Sequence, residues 1–121
     1  MAQPALSAAA GQSEPAIDRD HLSRMTLGDR GLEREVLQLF DRQAELLVAR
    51  MRTAEPDALS ALAHALKGSA RGIGAFAVAL AAEAIERPAA HAAADNAAAL
   101  DRLAAAVAEV RLLIAQVLRA G

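Results

Sequence analysis

The chain has no cysteine, tryptophan or tyrosine, and only two phenylalanines among its 121 residues. Without cysteine there is no disulfide, no thiol nucleophile and no thiolate metal site, which suits a reducing compartment and makes the cytoplasm the expected location. A composition that is 55% hydrophobic yet only 2% aromatic rests on Ala, Leu and Val, small or helix-compatible residues that favour closely packed helices. Charge of one sign is also lacking: 13 basic residues face 15 acidic ones, for a net charge of -2, and neither forms a long block. A nucleic-acid groove and a polybasic membrane anchor therefore have no compositional support, and a protein partner is the better fit. Charged residues interrupt every apolar stretch well short of a membrane span.

What is present reads as one domain with a lead-in. "MAQPALSAAAGQSEPA" is small and polar with Pro4, Gly11 and Pro15, and has no basic start. It is expected to be a disordered tail over residues 1–16, with a single domain over 17–121. "IDRDHLSRMT" predicts a short helix anchored by Ile17, Leu22 and Met25, broken at Gly28 and Gly31. Asp29 is the expected cap of a long helix from Arg30 to Thr53, whose Leu32, Val36, Leu39, Phe40, Leu46 and Leu47 lie mostly on one face. Pro56 opens the next helix, which runs to about Ile73 before Gly74 loosens it. "AFAVALAAEAIE" predicts a helix from Ala75 to Arg87 that stops at Pro88. Asp95 or Asn96 is the expected cap of a last helix, with Leu100, Leu103, Val107, Val110, Ile114, Val117 and Leu118 in one stripe. No segment has a two-residue apolar period. The expected fold is all-α, an antiparallel four-helix bundle with a short extra N-terminal helix.

The helix from Pro56 carries the chemistry. At about 100° per residue, Leu59, Leu62, Leu66, Ser69 and Ile73 fall in a sector roughly 80° wide, and His64 lies about 180° from its centre. A lone histidine among leucines is ordinarily a hydrogen-bonded core residue, but this phase turns His64 to solvent, among Asp57, Ser60, Ala61, Lys67, Gly68, Arg71 and Gly72. Lys67, one turn on, is expected to disfavour the protonated ring and so keep it neutral and nucleophilic. Gly68 costs about 1 kcal/mol relative to alanine in a helix interior, and a glycine beside the histidine leaves room for a phosphoryl group or a partner's backbone. A histidine nitrogen can take up a phosphoryl group, and a cation one turn away offsets the added charge. Ser69 is expected to turn coreward and bond a backbone carbonyl.

The run His64-Ala-Leu-Lys67-Gly68-Ser69-Ala-Arg-Gly-Ile-Gly74-Ala75 resembles the signature of histidine-containing phosphotransfer (HPt) domains of two-component phosphorelays, whose helical-bundle layout covers nearly all of the chain after the tail. The resemblance implies that His64 is the phosphoacceptor, that Lys67 stabilises the phosphoryl charge and that Gly68 keeps access to the ring open. Many members carry Thr or Ser directly after the acceptor, where this chain has Ala65. It further implies a phosphocarrier without kinase activity of its own. The group would come from the aspartyl phosphate of a receiver domain and pass to another receiver's aspartate. The partners implied are response-regulator receiver domains and hybrid histidine kinases. No cofactor is implied on this chain, the Mg²⁺ of the transfer belonging to the receiver's acidic pocket. Ala61, Ala65, Arg71 and Gly72 are the expected docking surface, and a monomer is expected because that face must stay free.

Three other readings fit less well. A histidine-kinase dimerisation domain normally has an acidic residue directly after its histidine and an ATPase domain to follow, whereas Ala65 and the short chain argue against it. An enzyme using His64 as general base needs a pocket, and the small residues around it suggest an open convex surface. A pure adaptor bundle would not need the His64 and Lys67 pair. His21 and His91 are expected to be solvated, and no histidine cluster has metal-ligand spacing.

Overall fold

The computed structural model describes residues 15–86 and 93–120, the first three residues of the second segment as backbone only. The tail over residues 1–14, the stop at Pro88 and His91 lie outside the described residues. Among those described there are five helices and no strand: α1 (Arg19–Met25), α2 (Arg30–Met51), α3 (Pro56–Ile73), α4 (Phe76–Glu86) and α5 (Ala93–Ala120). Helices α2 to α5 pair in chain order and α5 returns to α2, closing a four-helix bundle, while α1 leans on α3. Arg34 reaches the Leu118 carbonyl, Asp41 pairs with Arg111 and Arg52 with Asp101. Rising numbers on α2 thus meet falling numbers on α5, so the two run antiparallel.

Local sequence explains the ends. The Asp29 carboxylate accepts from the Leu32 amide at 3.0 Å, capping α2 as expected, and Asp18 does the same for α1 through the His21 amide. Pro56 stands at the first turn of α3, where its missing N–H is not needed. α3 ends in a left-handed Gly74 at φ 83°, with Ala75 donating to the Ala70 carbonyl and Gly74 to that of Arg71, a Schellman closure. A Cβ on Gly74 would sit 2.8 Å from the Asp18 carbonyl oxygen. The glycine is therefore required twice, for its backbone and for α1, whose Asp18 amide bonds the Gly74 carbonyl at 2.8 Å.

Several expectations need correction. α2 ends at Met51 rather than Thr53, and α4 begins at Phe76 rather than Ala75. α5 begins at Ala93, which places Asp95 and Asn96 inside its first turn instead of ahead of it. Met25 is exposed, leaving Ile17 and Leu22 as the anchors of α1. On α2 the buried side chains are Leu37, Phe40, Ala44 and Met51, while Leu32, Leu39 and Leu46 are exposed. These three recur every seven residues and form a second apolar stripe outside the buried face of the helix. The last helix keeps its expected stripe, with Leu100, Leu103, Val107, Val110 and Ile114 buried and Val117 and Leu118 packed at its edge.

Candidate functional site

On α3 the buried residues are Leu59, Ala63, Leu66, Ala70 and Ile73, whereas Leu62 and Ser69 are only half-buried. Relative to the leucine-weighted sector, the true core face is rotated by about 40° toward Ala63 and Ala70. Alanine centres it because α3 and α4, joined by a two-residue turn, pack with small residues between them. Ala63, Ala70, Ala75 and Ala82 are all fully buried. The rotation leaves His64 exposed, its side chain retaining 69% of its accessible surface. It also swings Ser60, His64 and Lys67 to the flank of α3 that faces α4.

All three converge on one residue at the end of α4. The Glu86 carboxylate lies 2.5 Å from His64 Nδ1 through Oε2 and 2.6 Å from Lys67 Nζ through Oε1. The Ser60 hydroxyl donates to the Glu86 backbone carbonyl at 3.1 Å. Residues 60, 64 and 67 lie in one row of α3, and that row holds both ends of Glu86. Lys67, and after it His64, hold the Glu86 carboxyl below its ordinary value of 4.5, because the ammonium paired with Oε1 and the ring bonded to Oε2 both favour the ionised form. An ionised carboxylate only accepts, so His64 donates from Nδ1–H, and in the neutral form of such a ring the lone pair is on Nε2.

This changes the expected electrostatics. Lys67 does not face the ring as a bare cation: its side chain is largely covered and its ammonium is turned to Glu86. The charge next to the imidazole is the carboxylate. Gly68 is exposed, and a Cβ there or on Gly72 would meet nothing within 4 Å. Neither glycine admits a neighbouring helix, so both keep an outer surface low. Ala61, Ala65 and Arg71 are exposed and Gly72 half-buried, and Arg71 also borders a shallow groove with Phe76, Leu80 and Arg102. Ser69 Oγ lies 3.5 Å from Gln43 Oε1 of α2 rather than on a backbone carbonyl. Gln43 stands one turn from both Leu39 and Leu46, so the exposed leucines of α2 border the Ser69 side of α3.

Glu86 is the residue that helix-by-helix reading misses, because on α4 alone it is simply the final charge. Hairpin arithmetic would have found it. His64 lies ten residues before Gly74 and Glu86 eleven after Ala75, so an antiparallel pair closed at that turn sets them side by side. His21 is half-buried, not solvated: its ring meets the edge of Phe76 at 5.2 Å and its Nε2 has no hydrogen-bond partner. Among the described residues no three His, Cys, Asp or Glu side chains gather as a metal site, and no helix is long and apolar enough to cross a membrane.

Neither a search of curated proteins nor one of solved structures returns a match to this chain. The family model for the Hpt domain matches residues 32–120, from the first turn of α2 to the end of α5. With an exposed histidine on a helical bundle and that match over most of its length, the chain belongs to the Hpt domain family, the phosphocarrier modules of histidine phosphotransfer in phosphorelays.

Proposed function

We propose that His64 accepts a phosphoryl group from the aspartyl phosphate of one receiver domain and passes it to the aspartate of another in a multistep phosphorelay. The observation that carries this reading is the imidazole itself: 69% exposed, on a face of small residues, with Nδ1 engaged and Nε2 open to solvent. Gly68 leaves the approach to the ring unobstructed. Lys67 can turn its ammonium from Glu86 to the phosphoryl oxygens and offset their charge. The chain acts as a carrier without kinase activity, the Mg²⁺ of the transfer being held by the receiver's acidic residues.

The docking surface is Ala61, Ala65, Arg71 and Gly72 around the histidine, extended by Leu39 and Leu46 of α2. These leucines are 48% and 52% exposed and border α3 through Gln43 and Ser69. Low relief beside an apolar stripe suits a helix of a receiver, in a modest and short-lived interface. The partners are receiver domains of response regulators and of hybrid histidine kinases, met in the cytoplasm, and the chain works as a monomer. Size-exclusion chromatography with light scattering checks the last point, a stable dimer counting against it.

The deciding experiment is phosphotransfer from a panel of phosphorylated receiver domains to the wild type and to His64→Gln. Label on the wild type alone, labile to acid and stable to alkali, is the expected result. A folded wild type that binds a receiver and accepts nothing from it would replace the relay role with that of an adaptor.

A further inference from the structure

We infer that the outer face of α4, between Arg71 and Arg102, is a docking groove for an acidic amphipathic helix of a partner protein. It adjoins the surface around His64 only at Arg71 and does not depend on phosphoryl transfer. From Phe76 to Ala82 the chain reads FAVALAA, without one polar side chain. A helix at a protein surface ordinarily turns a polar stripe outward, and one that is apolar all round is covered on every side. α4 is covered on only part of its circumference. Val78, Ala79, Ala82 and Ile85 are buried, but Phe76 and Leu80, one turn apart, stay 47% and 69% exposed, and Ala77 and Ala84 are exposed with them. Ala77 and Ala81 keep the groove low between the two large side chains. Phe76 is already held in place, its ring packed against that of His21 at 5.2 Å.

Charge selects the occupant. Arg71 comes to the groove from the last turn of α3 and Arg102 from α5. Among the described residues neither guanidinium is paired with a carboxylate, and Glu83, which lines the same groove, bridges neither. Two unpaired guanidiniums beside an apolar strip select carboxylates flanked by apolar side chains. A second copy of this chain would bring its own arginines against these, and burying Phe76 and Leu80 alone falls short of what a stable dimer needs. A small molecule would remain open to water in so shallow a groove. About two turns of helix fit it, with apolar side chains over Ala77 and Ala81 and carboxylates toward the arginines. Glu86, which marks the level of His64, lies six residues beyond Leu80, about 9 Å along the axis of α4. A segment in the groove therefore leaves His64 uncovered, and a partner can be held there while the histidine is in use.

The probe is a synthetic peptide of about 15 residues, long enough to form a helix, with leucine along one face and glutamate beside it. Its control carries lysine in place of every glutamate. Titrated into the full-length ¹⁵N-labelled chain, the glutamate peptide should shift the amides of Phe76, Ala77, Leu80 and Arg102 saturably, and bind more weakly as salt is raised. Leu80→Ser and Arg102→Glu alter exposed side chains, so both should keep the fold by circular dichroism. Each should weaken the glutamate peptide about tenfold, and Arg102→Glu should bind the lysine peptide more tightly than the wild type does. Labelling of His64 by phosphoramidate, a small donor that requires no receiver, should proceed at the same rate with the groove occupied. Shifts that never saturate, shifts centred on Ala61 to Gly68, equal binding of the two peptides, or loss of labelling would each overturn the inference. Groove amides that move with protein concentration in the absence of peptide would assign the face to a second copy instead. A chain that binds the peptide in the groove but takes phosphate from no receiver would defeat the relay reading alone.

Discussion

The two long seams of the bundle are cross-braced by charge in opposite senses. Between α3 and α4 one acid, Glu86, sits between two bases, His64 and Lys67. Between α2 and α5 one base, Arg111, sits between two acids, Asp41 at 2.8 Å and Glu45 at 3.4 Å. The packing beneath differs in the same way. α3 and α4 bury alanine at positions 63, 70, 79 and 82, whereas α2 and α5 bury Leu37, Phe40, Met51, Leu103, Val110 and Ile114. Large side chains hold the second seam, and its charges add a solvated brace. Small side chains bring the first seam close enough for a carboxylate on α4 to reach a ring on α3, so there the charges form the site.

The largest effects should separate the two kinds of packing. Leu103→Ala removes a fully buried side chain from α5 and should cost about 3 kcal/mol, read as a fall in the denaturation midpoint at unchanged slope. Phosphorylation of the remaining folded protein should be unaffected, because the Glu86 seam is untouched. Ala63→Leu is the reverse experiment, forcing a large side chain into the alanine seam at a cost of about 2 kcal/mol. It should also slow phosphorylation of the folded fraction by separating α3 from α4. Equal losses of phosphorylation in the two variants would erase the distinction between the seams.

What was legible in the sequence follows the same division. The leucine and valine seam could be read from periodicity, since Leu100, Leu103, Val107, Val110 and Ile114 are buried as their spacing predicts. The alanine seam could not, because alanine is at home both in a core and on a surface and gives no phase. Weighting the leucines of α3 turned its core face by about 40°, and so put Ser69 coreward and left Ala63 and Ala70 unnoticed. The exposure of His64 survived that error because the ring lay far from either centre. The heptad of Leu32, Leu39 and Leu46 misled in another way, as an apolar stripe that belongs to the surface. Glu86 depends on how two helices meet, which no single-helix projection contains. Gly68 and Gly74 look alike in sequence, yet one faces open space and the other would strike the Asp18 carbonyl.

Those two glycines give a sharper and smaller test. Gly68→Ala should stabilise the fold by about 1 kcal/mol, raising the melting temperature, since an added Cβ meets nothing and the helix interior prefers alanine. It should at the same time slow transfer from a receiver, because the methyl group rises beside His64 on the docking face. Gain of stability with undiminished transfer would mean that Gly68 does not serve access. Arg111→Ala in the opposite seam should do little, about 0.5 kcal/mol, because its ion pairs are substantially exposed and screened, and that loss should shrink further in high salt.

The smallest effect distinguishes the charges themselves. Arg111 is pushed above its ordinary value, first by its bond to Asp41, and so stays charged wherever the protein is folded. Glu86 is held below 4.5, first by Lys67 and then by His64, so its two partners favour the carboxylate in the folded chain. A carboxyl with a depressed folded value contributes stability that is fully present above the unfolded value and is lost as pH falls through the folded one. The carboxylate that faces His64 is therefore lost only as pH falls through a folded value lying below 4.5. A ¹³C titration of the Glu86 side-chain carboxyl should give a midpoint below that of the exposed glutamates, moving toward theirs in Lys67→Met and by a lesser amount in His64→Gln. If His64→Gln moves it further than Lys67→Met, the imidazole and not the ammonium is the principal partner of the carboxylate, and the freedom of Lys67 to turn toward a phosphoryl group is correspondingly greater.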